Sequence, residues 1–311
     1  MTLDKTTVDW FRFRAKAEPK TILDALRPLF NFGHLLTLVP LERGILGFQQ
    51  GGSINLGDMA LGRMDYGGES QNGWVRVDLT GTACQLVEAW NIDEIQALHR
   101  AELRRVDIAL TTWAGEIGHQ AVVDAYAAGE FTTGGRPPDL TQITSSDATA
   151  GKTCYIGKRT GSGKFMRCYE KGYEMASKRP GLVSVNQHEI AGIYRCEVEF
   201  KAGKDLTLPW AAIAQRDSFF AGAYPFCQNA LQGVQPAAMY RDPSREPQMA
   251  LDAVLAHACK QFGPTFFTAL QAYGGDIMQV WEKIVGRKHN TALLAAGVLQ
   301  VDHEQKTYEV Q

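Results

Sequence analysis

The stretch KFMRCYEKGYE, residues 164–174, follows a glycine-rich turn at residues 157–163 and alternates in the manner of a strand. A strand that runs on to Lys171 would place four side chains on one face: Phe165, Arg167, Tyr169 and Lys171. Two cations beside a phenol suit a site where the hydroxyl meets a phosphate, because they offset the phosphate charge and favour the phenolate. The alternative interpretation is a basic edge strand that carries one surface tyrosine.

Composition allows a sizeable core. The chain has 311 residues, 45% hydrophobic and 21% charged, which suits one large domain or two moderate ones. The formal net charge of -2 does not indicate a general polyanion binder. Between Lys158 and Arg179, however, seven Lys or Arg residues stand against Glu170 and Glu174. This local excess favours a phosphate-binding site.

The six cysteines are scattered and form no CxxC pair. We therefore expect reduced, buried thiols and a reducing compartment, the cytoplasm. The first nine residues are polar and charged, unlike a signal peptide, and no run reaches the roughly 18 apolar residues of a membrane span. No membrane partner is expected. The histidines contain no close pair, so a histidine-only metal centre would need distant parts of the chain.

Alternating patterns predict strands at residues 8–13, 74–80, 105–112, 153–158, 164–171 and 194–201, and residues 34–48 are β-like with a break at Pro40. Helical spacing predicts helices at residues 20–30, 82–90, 93–104, 117–128, 210–220, 248–262, 265–273 and 276–285. Residues 129–151 predict a long surface connection. The order predicts an α+β fold: a central, largely antiparallel β-sheet with helices on one face, then a helical C-terminal region. We expect a first domain at residues 1–203 and a second region at 204–311.

Several predicted strands carry polar residues on one face. Arg105 and Asp107 alternate with apolar residues, as do Arg76 and Asp78, and so do four charged residues of the last strand: Arg195, Glu197, Glu199 and Lys201. Together these strands could line a concave, charged face whose carboxylates hold Mg²⁺ or Mn²⁺. His119 or His188 could complete such a site. The alternative is cross-strand ion pairing on a solvated face.

The turn at residues 157–164 does not match a phosphate-binding P-loop. Five residues, rather than four, separate Gly157 from Gly163, and Phe165 stands where Ser or Thr is needed. The flanking segments are two strands rather than a strand and a helix. We interpret the glycines as a hairpin turn, whose cations are candidates for contacts with a DNA backbone: Lys158, Arg159 and Lys164.

These motifs together resemble the replication initiation factor family, which includes rolling-circle replication initiators of filamentous phages and pT181-type plasmids and relaxases of some integrative elements. The matching stretches are VDWFRF (8–13), GWVRVDLTGTAC (73–84), RVDIALT (105–111), CYIGKRTGSGKFMRCYEKGYE (154–174) and YRCEVEFKAG (194–203). They follow the family's order, and the stretch around Tyr169 is the most specific of them. The region from 204 to 311 is matched only in being helical.

The resemblance implies a metal-dependent enzyme that nicks and rejoins one strand of a DNA origin in a bacterial host cell. Tyr169 would be the nucleophile, joined to the 5′ phosphate, while Arg167 and Lys171 steady the phosphate charge. Asp107 and Glu197 are the first candidates for metal ligands, and Asp78 and Glu199 the next. A host helicase and a host polymerase would be partners, and a homodimer is left open.

The chain departs from the family at Thr111, where relatives often have a second Asp on that strand, so a second carboxylate there is in doubt. Tyr173 is the rival nucleophile, at or past the end of the strand. Three other functions stay open: a relaxase of an integrative or mobilisable element, a non-catalytic DNA-binding protein, and a metal-dependent nuclease that uses water.

Overall fold

A computed structural model describes residues 5–147, 150–160, 163–178, 187–203, 206–241 and 245–295. The chain divides into two compact units. The first comprises residues 1–203 and 208–240, and the second residues 204–207 and 241–311. Residues 208–240, which we expected in the C-terminal region, thus belong to the unit that contains the sheet. There Asp217 accepts a hydrogen bond of 2.8 Å from the backbone N–H of Thr6.

The first unit contains one ten-stranded sheet. Its strands are β1 (Thr6–Ala15), β2 (Leu36–Leu41), β3 (Gln50–Leu56), β4 (Met59–Tyr66), β5 (Val75–Leu79), β6 (Glu102–Thr112), β7 (Leu140–Ile143), β8 (Thr153–Ile156), β9 (Lys164–Tyr169) and β10 (Tyr194–Lys201). They lie in the order β2-β3-β4-β5-β1-β6-β10-β9-β8-β7. Every neighbouring pair is antiparallel, which confirms the predicted sheet.

The helices of this unit are α1 (Pro19–Leu26), α2 (Gly81–Gln85), α3 (Asp93–Gln96), α4 (His119–Ala127), α5 (Lys171–Lys178), α6 (Gln187–Gly192), α7 (Ala211–Ala214), α8 (Arg216–Ala221) and α9 (Pro225–Ala230). Because side chains alternate along a strand, the central strands present an apolar face and a charged face. Phe11, Ile108 and Val198 of the apolar face form one buried core with Leu26 of α1 and Phe220 of α8. The predicted α+β architecture is therefore confirmed.

Three strands of the ten-stranded sheet were missed: β3, β4 and β7. The β3 sequence QGGSINL is rich in glycine, which strands usually avoid, and β7 interrupts the connection expected at residues 129–151. The predicted helix at 93–104 is also too long, because α3 ends at Gln96 and β6 begins at Glu102. Between β8 and β9 the predicted hairpin is confirmed, with Cys154 opposite Cys168.

The second unit is helical, as predicted, with α10 (Arg245–Ala272), α11 (Ile277–Ile284) and α12 (Thr291–Ala295). We expected separate helices on either side of Pro264, but α10 continues through it, because a proline removes one backbone hydrogen bond without ending a helix that is otherwise favourable. Asp276 caps α11 by accepting hydrogen bonds from the N–H groups of Met278 and Gln279. Two short strands, β11 (Leu206–Thr207) and β12 (Tyr240–Arg241), lie where the chain passes between the units. No helix among the described residues is long and apolar enough to cross a membrane.

Candidate active site

Tyr169 ends strand β9 on the charged face and is 7% exposed. The guanidinium carbon of Arg167 lies 4.7 Å from the centre of the Tyr169 ring, and Lys171 Nζ lies 3.4 Å from the Tyr169 hydroxyl. We expected Lys171 to be part of the strand, but it is the first residue of α5. The chain turns into a helix there, and Lys171 Nζ also pairs with Glu174 Oε2 at 2.8 Å, one helical turn on. Both predicted cations nevertheless lie beside the phenol.

A third cation beside Tyr169 is Arg195, which lies directly opposite it in the β9–β10 register. Arg195 donates hydrogen bonds to Asp9 Oδ1 at 2.7 Å and to Thr111 Oγ1 at 2.9 Å. Asp9 belongs to an irregularity in the β1–β6 pairing, between Val8 and Trp10. Sequence reasoning gave no role to Arg195 beyond the polar face and missed Asp9 altogether, because neither a register nor a bulge is visible in a local pattern.

The hydroxyl of Tyr169 is not a ready phenolate. Burial raises the pKa of Tyr169 well above its ordinary value, and the negative charge of Glu197 adds to the rise. The charges of Arg195 and Arg167 oppose this rise without cancelling it. The charges of two arginines thus favour the phenolate, but desolvation outweighs them.

Glu197 occupies the next position along the charged face of β10, directly opposite Arg167. Its Oε2 accepts a hydrogen bond of 2.8 Å from Arg167 Nη2. Burial raises the pKa of Glu197 to about 7; Arg167 opposes the rise, while the charges of Asp9 and Asp107 add to it. The carboxyl group therefore changes charge near neutral pH, next to the phenol.

Asp107 and Glu199 lie opposite each other on β6 and β10 and share one arginine. Arg105 donates to Asp107 Oδ1 at 2.7 Å and pairs with Glu199 Oε2 at 2.7 Å. Burial raises the pKa of Asp107, although Arg105 opposes this. Burial acts in the same direction on Glu199, but Lys201, Arg105 and Arg159 hold the pKa of Glu199 below its ordinary value. The predicted alternative, cross-strand ion pairing, is thus present at both carboxylates.

Asp78 belongs to a separate ladder of ion pairs on the other side of β1. Its Oδ1 accepts hydrogen bonds from Trp10 Nε1 at 2.9 Å and from Arg12 Nε at 2.5 Å, and its Oδ2 pairs with Arg76. Arg76 also pairs with the fully buried Asp65 at 2.6 Å. These contacts hold the β4, β5 and β1 strands together and do not bring Asp78 to Tyr169.

The four carboxylates predicted to bind a divalent cation have suitable donor atoms but an unsuitable arrangement. Carboxylate oxygens are the right donors for Mg²⁺ or Mn²⁺. Asp107 and Glu197 also lie close enough to Asp9 for its charge to raise the pKa of both. The residues that the structure describes nevertheless include no group of three or more His, Cys, Asp or Glu side chains arranged to hold a metal. The donor chemistry therefore fits a cation, while the present arrangement, with an arginine on each carboxylate, does not form its site.

The three cations predicted to contact DNA lie in different environments. The side chain of Lys158 is 76% exposed and pairs with Asp139 at 3.3 Å. Arg159 lies on the charged face, where it pairs with Glu199 at 3.2 Å. Lys164 instead contacts the Ala223 carbonyl oxygen and lies over the Tyr224 ring, on the side of the sheet that the helices cover. Burial lowers the pKa of Lys164. The charged face thus includes Arg159 and not Lys164.

Of the two predicted histidines, His119 does not join the carboxylates. His119 Nδ1 lies 3.7 Å from Cys154 Sγ, on the apolar face of the sheet, and its Nε2 lies 3.3 Å from Gln142 Oε1. The side chain of His188 lies outside the described residues. The rival nucleophile Tyr173 is in α5, with the backbone of Gly151 packed against it.

The candidate site thus consists of a buried tyrosine at the end of a strand in an antiparallel sheet, with three cations beside it. A family model described as "Replication initiation factor" matches residues 101–253, a range that includes β6, β9, β10 and Tyr169. The match confirms the resemblance drawn from the sequence, and residues 101–253 are similar to the replication initiation factor family. The match indicates a role in the initiation of replication.

Among solved structures, the fold is similar to that of a rolling circle replication initiator protein from Geobacillus stearothermophilus. The two chains are 20% identical, and the alignment covers 63% of this chain and 74% of that one with a TM-score of 0.46. No curated protein matches the sequence.

Proposed function

We propose that the protein initiates rolling-circle replication by nicking and rejoining one strand of an origin, with Tyr169 as the nucleophile. The observation that carries this proposal is the phenol with three cations beside it: Arg167 and Arg195 on the charged face of the sheet, and Lys171 at the start of α5. A phosphodiester that entered this face would meet the hydroxyl and three cations together. The family match over residues 101–253 supports the same role.

The proposed reaction is a transesterification. Tyr169 Oη attacks the scissile phosphorus, the Oη–P bond forms, and the bond from phosphorus to the 3′ oxygen breaks. The phenolic proton is lost, and the leaving 3′ oxygen gains one, so that a 3′-OH is released while the 5′ phosphate stays on the tyrosine. The reverse reaction with a later 3′-OH rejoins the strand. No water enters either step.

The cations act where negative charge develops. Arg167 and Arg195 offset the charge on the phosphoryl oxygens, and Lys171 donates a hydrogen bond to Oη as it loses its proton. The charges of Arg195 and Arg167 also oppose the high pKa that burial imposes on Tyr169. Glu174 and Glu197 hold Lys171 and Arg167 in place by ion pairs of 2.8 Å each.

A divalent cation is a further part of the proposal, supported by the family resemblance and by the donor chemistry. Asp107, Glu197 and Asp9, each paired with a single arginine, would hold it, whereas Asp78 and Glu199 are held in ion pairs with two and three cations. When bound, such a cation polarises a phosphate. The 3′-OH left by the nick would serve a host polymerase, with a host helicase and a second copy of the chain as further proposed partners.

The test is the formation of a covalent protein–DNA adduct. Protein is incubated with Mn²⁺ or Mg²⁺ and a labelled pool of random-sequence single-stranded oligonucleotides, then separated on a denaturing gel. We expect an adduct with the native protein and none with Tyr169→Phe, which retains the ring and its packing. Tyr173→Phe is the matched control and should form the adduct.

The other functions predict different results in the same assay. An adduct that persists in Tyr169→Phe and disappears in Tyr173→Phe would assign the nucleophile to α5. Cleavage without an adduct would indicate a nuclease that uses water. DNA binding with neither cleavage nor an adduct would indicate a non-catalytic protein. A relaxase would form the same adduct and would differ in its DNA target, which is then found by sequencing the captured strands.

A further inference from the structure

A pair of stacked aromatic rings lies on the charged face beside the candidate active site. The ring centres of Tyr155 on β8 and Phe165 on β9 are 5.6 Å apart, and their planes are inclined by 30°. The guanidinium carbon of Arg159 lies 5.4 Å from the centre of the Phe165 ring. Phe165 is buried, while Tyr155 is half-buried and the side chain of Arg159 is 56% exposed. We call these three residues the aromatic group.

The aromatic group is next to Tyr169. Tyr155 lies opposite Arg167 in the β8–β9 register, and Thr153, two residues before it, lies opposite Tyr169. Strands about 4.8 Å apart with a rise of about 3.4 Å per residue separate the Cα atoms of Tyr155 and Tyr169 by about 8 Å. The Arg167 charge interacts with both tyrosines. The phosphate of one nucleotide could therefore contact Arg167 while the neighbouring nucleotides reach the rings of Tyr155 and Tyr169.

The aromatic group also borders an exposed margin of the sheet. Thr141 of β7 lies opposite Tyr155 and is exposed, and β7 is the last strand on this side of the sheet. A chain of nucleotides that leaves Tyr169 along this side would pass Tyr155 before it reaches solvent.

We propose that Tyr155, backed by Phe165 and flanked by Arg159, stacks on a base of the single-stranded DNA next to the phosphate that Tyr169 attacks. The inference rests on the proposed function in taking DNA as the ligand. Every base presents a π-face, so an aromatic ring binds single strands with little sequence preference. A ring already stacked on Phe165 is held in one orientation, which lowers the entropy lost on binding. Arg159 adds a cation for the backbone.

If the Tyr155 and Phe165 rings served only to hold β8 to β9, the affinity for DNA would not depend on whether the DNA carries bases. The experiment therefore compares two probes with the same charge. One is oligo-dT, and the other is a chain of abasic units of the same length, both fluorescently labelled and titrated at one salt concentration. All proteins carry Tyr169→Phe, so that no strand is cut and binding alone is measured by anisotropy.

We expect Tyr169→Phe protein to bind oligo-dT about tenfold more tightly than the abasic chain, the range expected for one stacked base. Adding Tyr155→Leu should abolish this preference, and adding Tyr155→Phe should retain it. Lys158→Gln is the charge control and should weaken binding of both probes by the same factor. A loss of thermal stability alone does not change the ratio of the two affinities.

Tyr155→Trp provides a second measurement should the Leu variant not fold. Its added fluorescence should be quenched by oligo-dT and unchanged by the abasic chain. A preference for bases that persists in Tyr155→Leu, or one that is absent from the parent, overturns the inference. Because no covalent step is measured, failure of the nicking reaction would leave this result standing, and failure here would leave the Tyr169 adduct standing.

Discussion

Arg195 lies directly opposite Tyr169 across β9 and β10, and its guanidinium group donates a 2.7 Å hydrogen bond to Asp9 on β1. The two contacts span four strands, because β6 lies between β1 and β10. Arg195 is thereby held beside the phenol by a carboxylate from a distant part of the sequence. A positively charged group fixed in this way can stabilise charge that develops on a phosphate without first having to reorient.

Arg195→Gln should slow adduct formation by roughly 100-fold, the range seen when one charge-stabilising donor is removed from an active site. Affinity for an uncut oligonucleotide should fall by much less, because Arg167 and Lys171 remain. The measurement is the rate of adduct formation at saturating DNA, next to a binding titration. Arg14→Gln is the matched control, since Arg14 pairs with Glu102 on the same sheet at 2.8 Å. Equal slowing in both variants would contradict a specific role for Arg195.

Glu197 should make folding stability depend on pH near neutrality. Burial raises the pKa of Glu197 from 4.5, its value in an unfolded chain, to about 7 in the folded protein. Between these pH values the folded state therefore binds more protons than the unfolded state. Stability contributed by the neutral carboxyl is therefore present below pH 4.5 and is lost as pH rises through 7. At about 1.4 kcal/mol per pH unit, the rise from 4.5 to about 7 corresponds to a cost of about 3 kcal/mol.

Glu197→Gln keeps a hydrogen-bonding group beside Arg167 and removes this titration. Urea unfolding at pH 5 and at pH 8 should show similar stability of the two proteins at pH 5 and a more stable variant at pH 8. Glu102→Gln, which alters a half-buried ion pair away from Glu197, is the control and should follow the native protein at both pH values. Parallel pH dependence of Glu197→Gln and the native protein would contradict the raised pKa.

The strands that the sequence predicted correctly are those with clear alternation, such as VDWFRF within β1 and YRCEVEFK in β10. In YRCEVEFK the apolar positions fall on one face and the charged positions on the other, so strand and face follow from one pattern. In VDWFRF the strand follows from the alternation, but the place of Asp9 depends on the irregularity between Val8 and Trp10. The β3 strand was missed because glycines interrupt its pattern, although pairing with β2 and β4 holds it in the sheet. Neighbouring strands override a weak local preference there.

The candidate site was predicted where neighbours in sequence form it and missed where pairing between strands forms it. Arg167 and Tyr169 share a face because they are two residues apart on one strand. Arg195 and Asp9 reach the same place through the register of β9 with β10 and the irregularity in β1. A shift of one residue in register would turn Arg195 to the apolar face, so this neighbour depends on the assembled sheet.

Arg105 is expected to be essential for stability because it neutralises two buried carboxylates. Arg105→Met would leave Asp107, which is 2% exposed, without the guanidinium that donates to both of its oxygens. Breaking a buried pair from one side costs about 3 kcal/mol or more, since the remaining charge is uncompensated. Urea unfolding at pH 7 measures the loss.

The matched variant is the double substitution Arg105→Met with Asp107→Leu, which removes both charges. It should recover most of the stability lost by Arg105→Met alone, because no unpaired carboxylate remains at Asp107 and Glu199 keeps Lys201 and Arg159. If the double variant is as unstable as the single one, Arg105 contributes through packing against Trp10, over whose ring it lies at 4.7 Å, rather than through charge.

Thiol reactivity should distinguish the core of the first unit from the surface of α10. All six cysteines are free; five are buried, and Cys259 is exposed, contrary to the expectation that all were buried. Burial raises the pKa of Cys84, Cys168 and Cys227 well above the ordinary value, so few of these thiols are ionised at neutral pH. Because the thiolate is the reactive form, these groups should react only when the sheet opens.

A chromogenic disulfide reagent should therefore label one thiol per chain rapidly in native protein and all six in urea. Cys259→Ser should abolish the rapid phase and leave the slow one unchanged. Arg105→Met should accelerate the slow phase, since a less stable sheet exposes its core thiols more often. Rapid labelling of a second thiol in the native protein would contradict the packing of Cys154, Cys168 and Cys196 side by side across β8, β9 and β10.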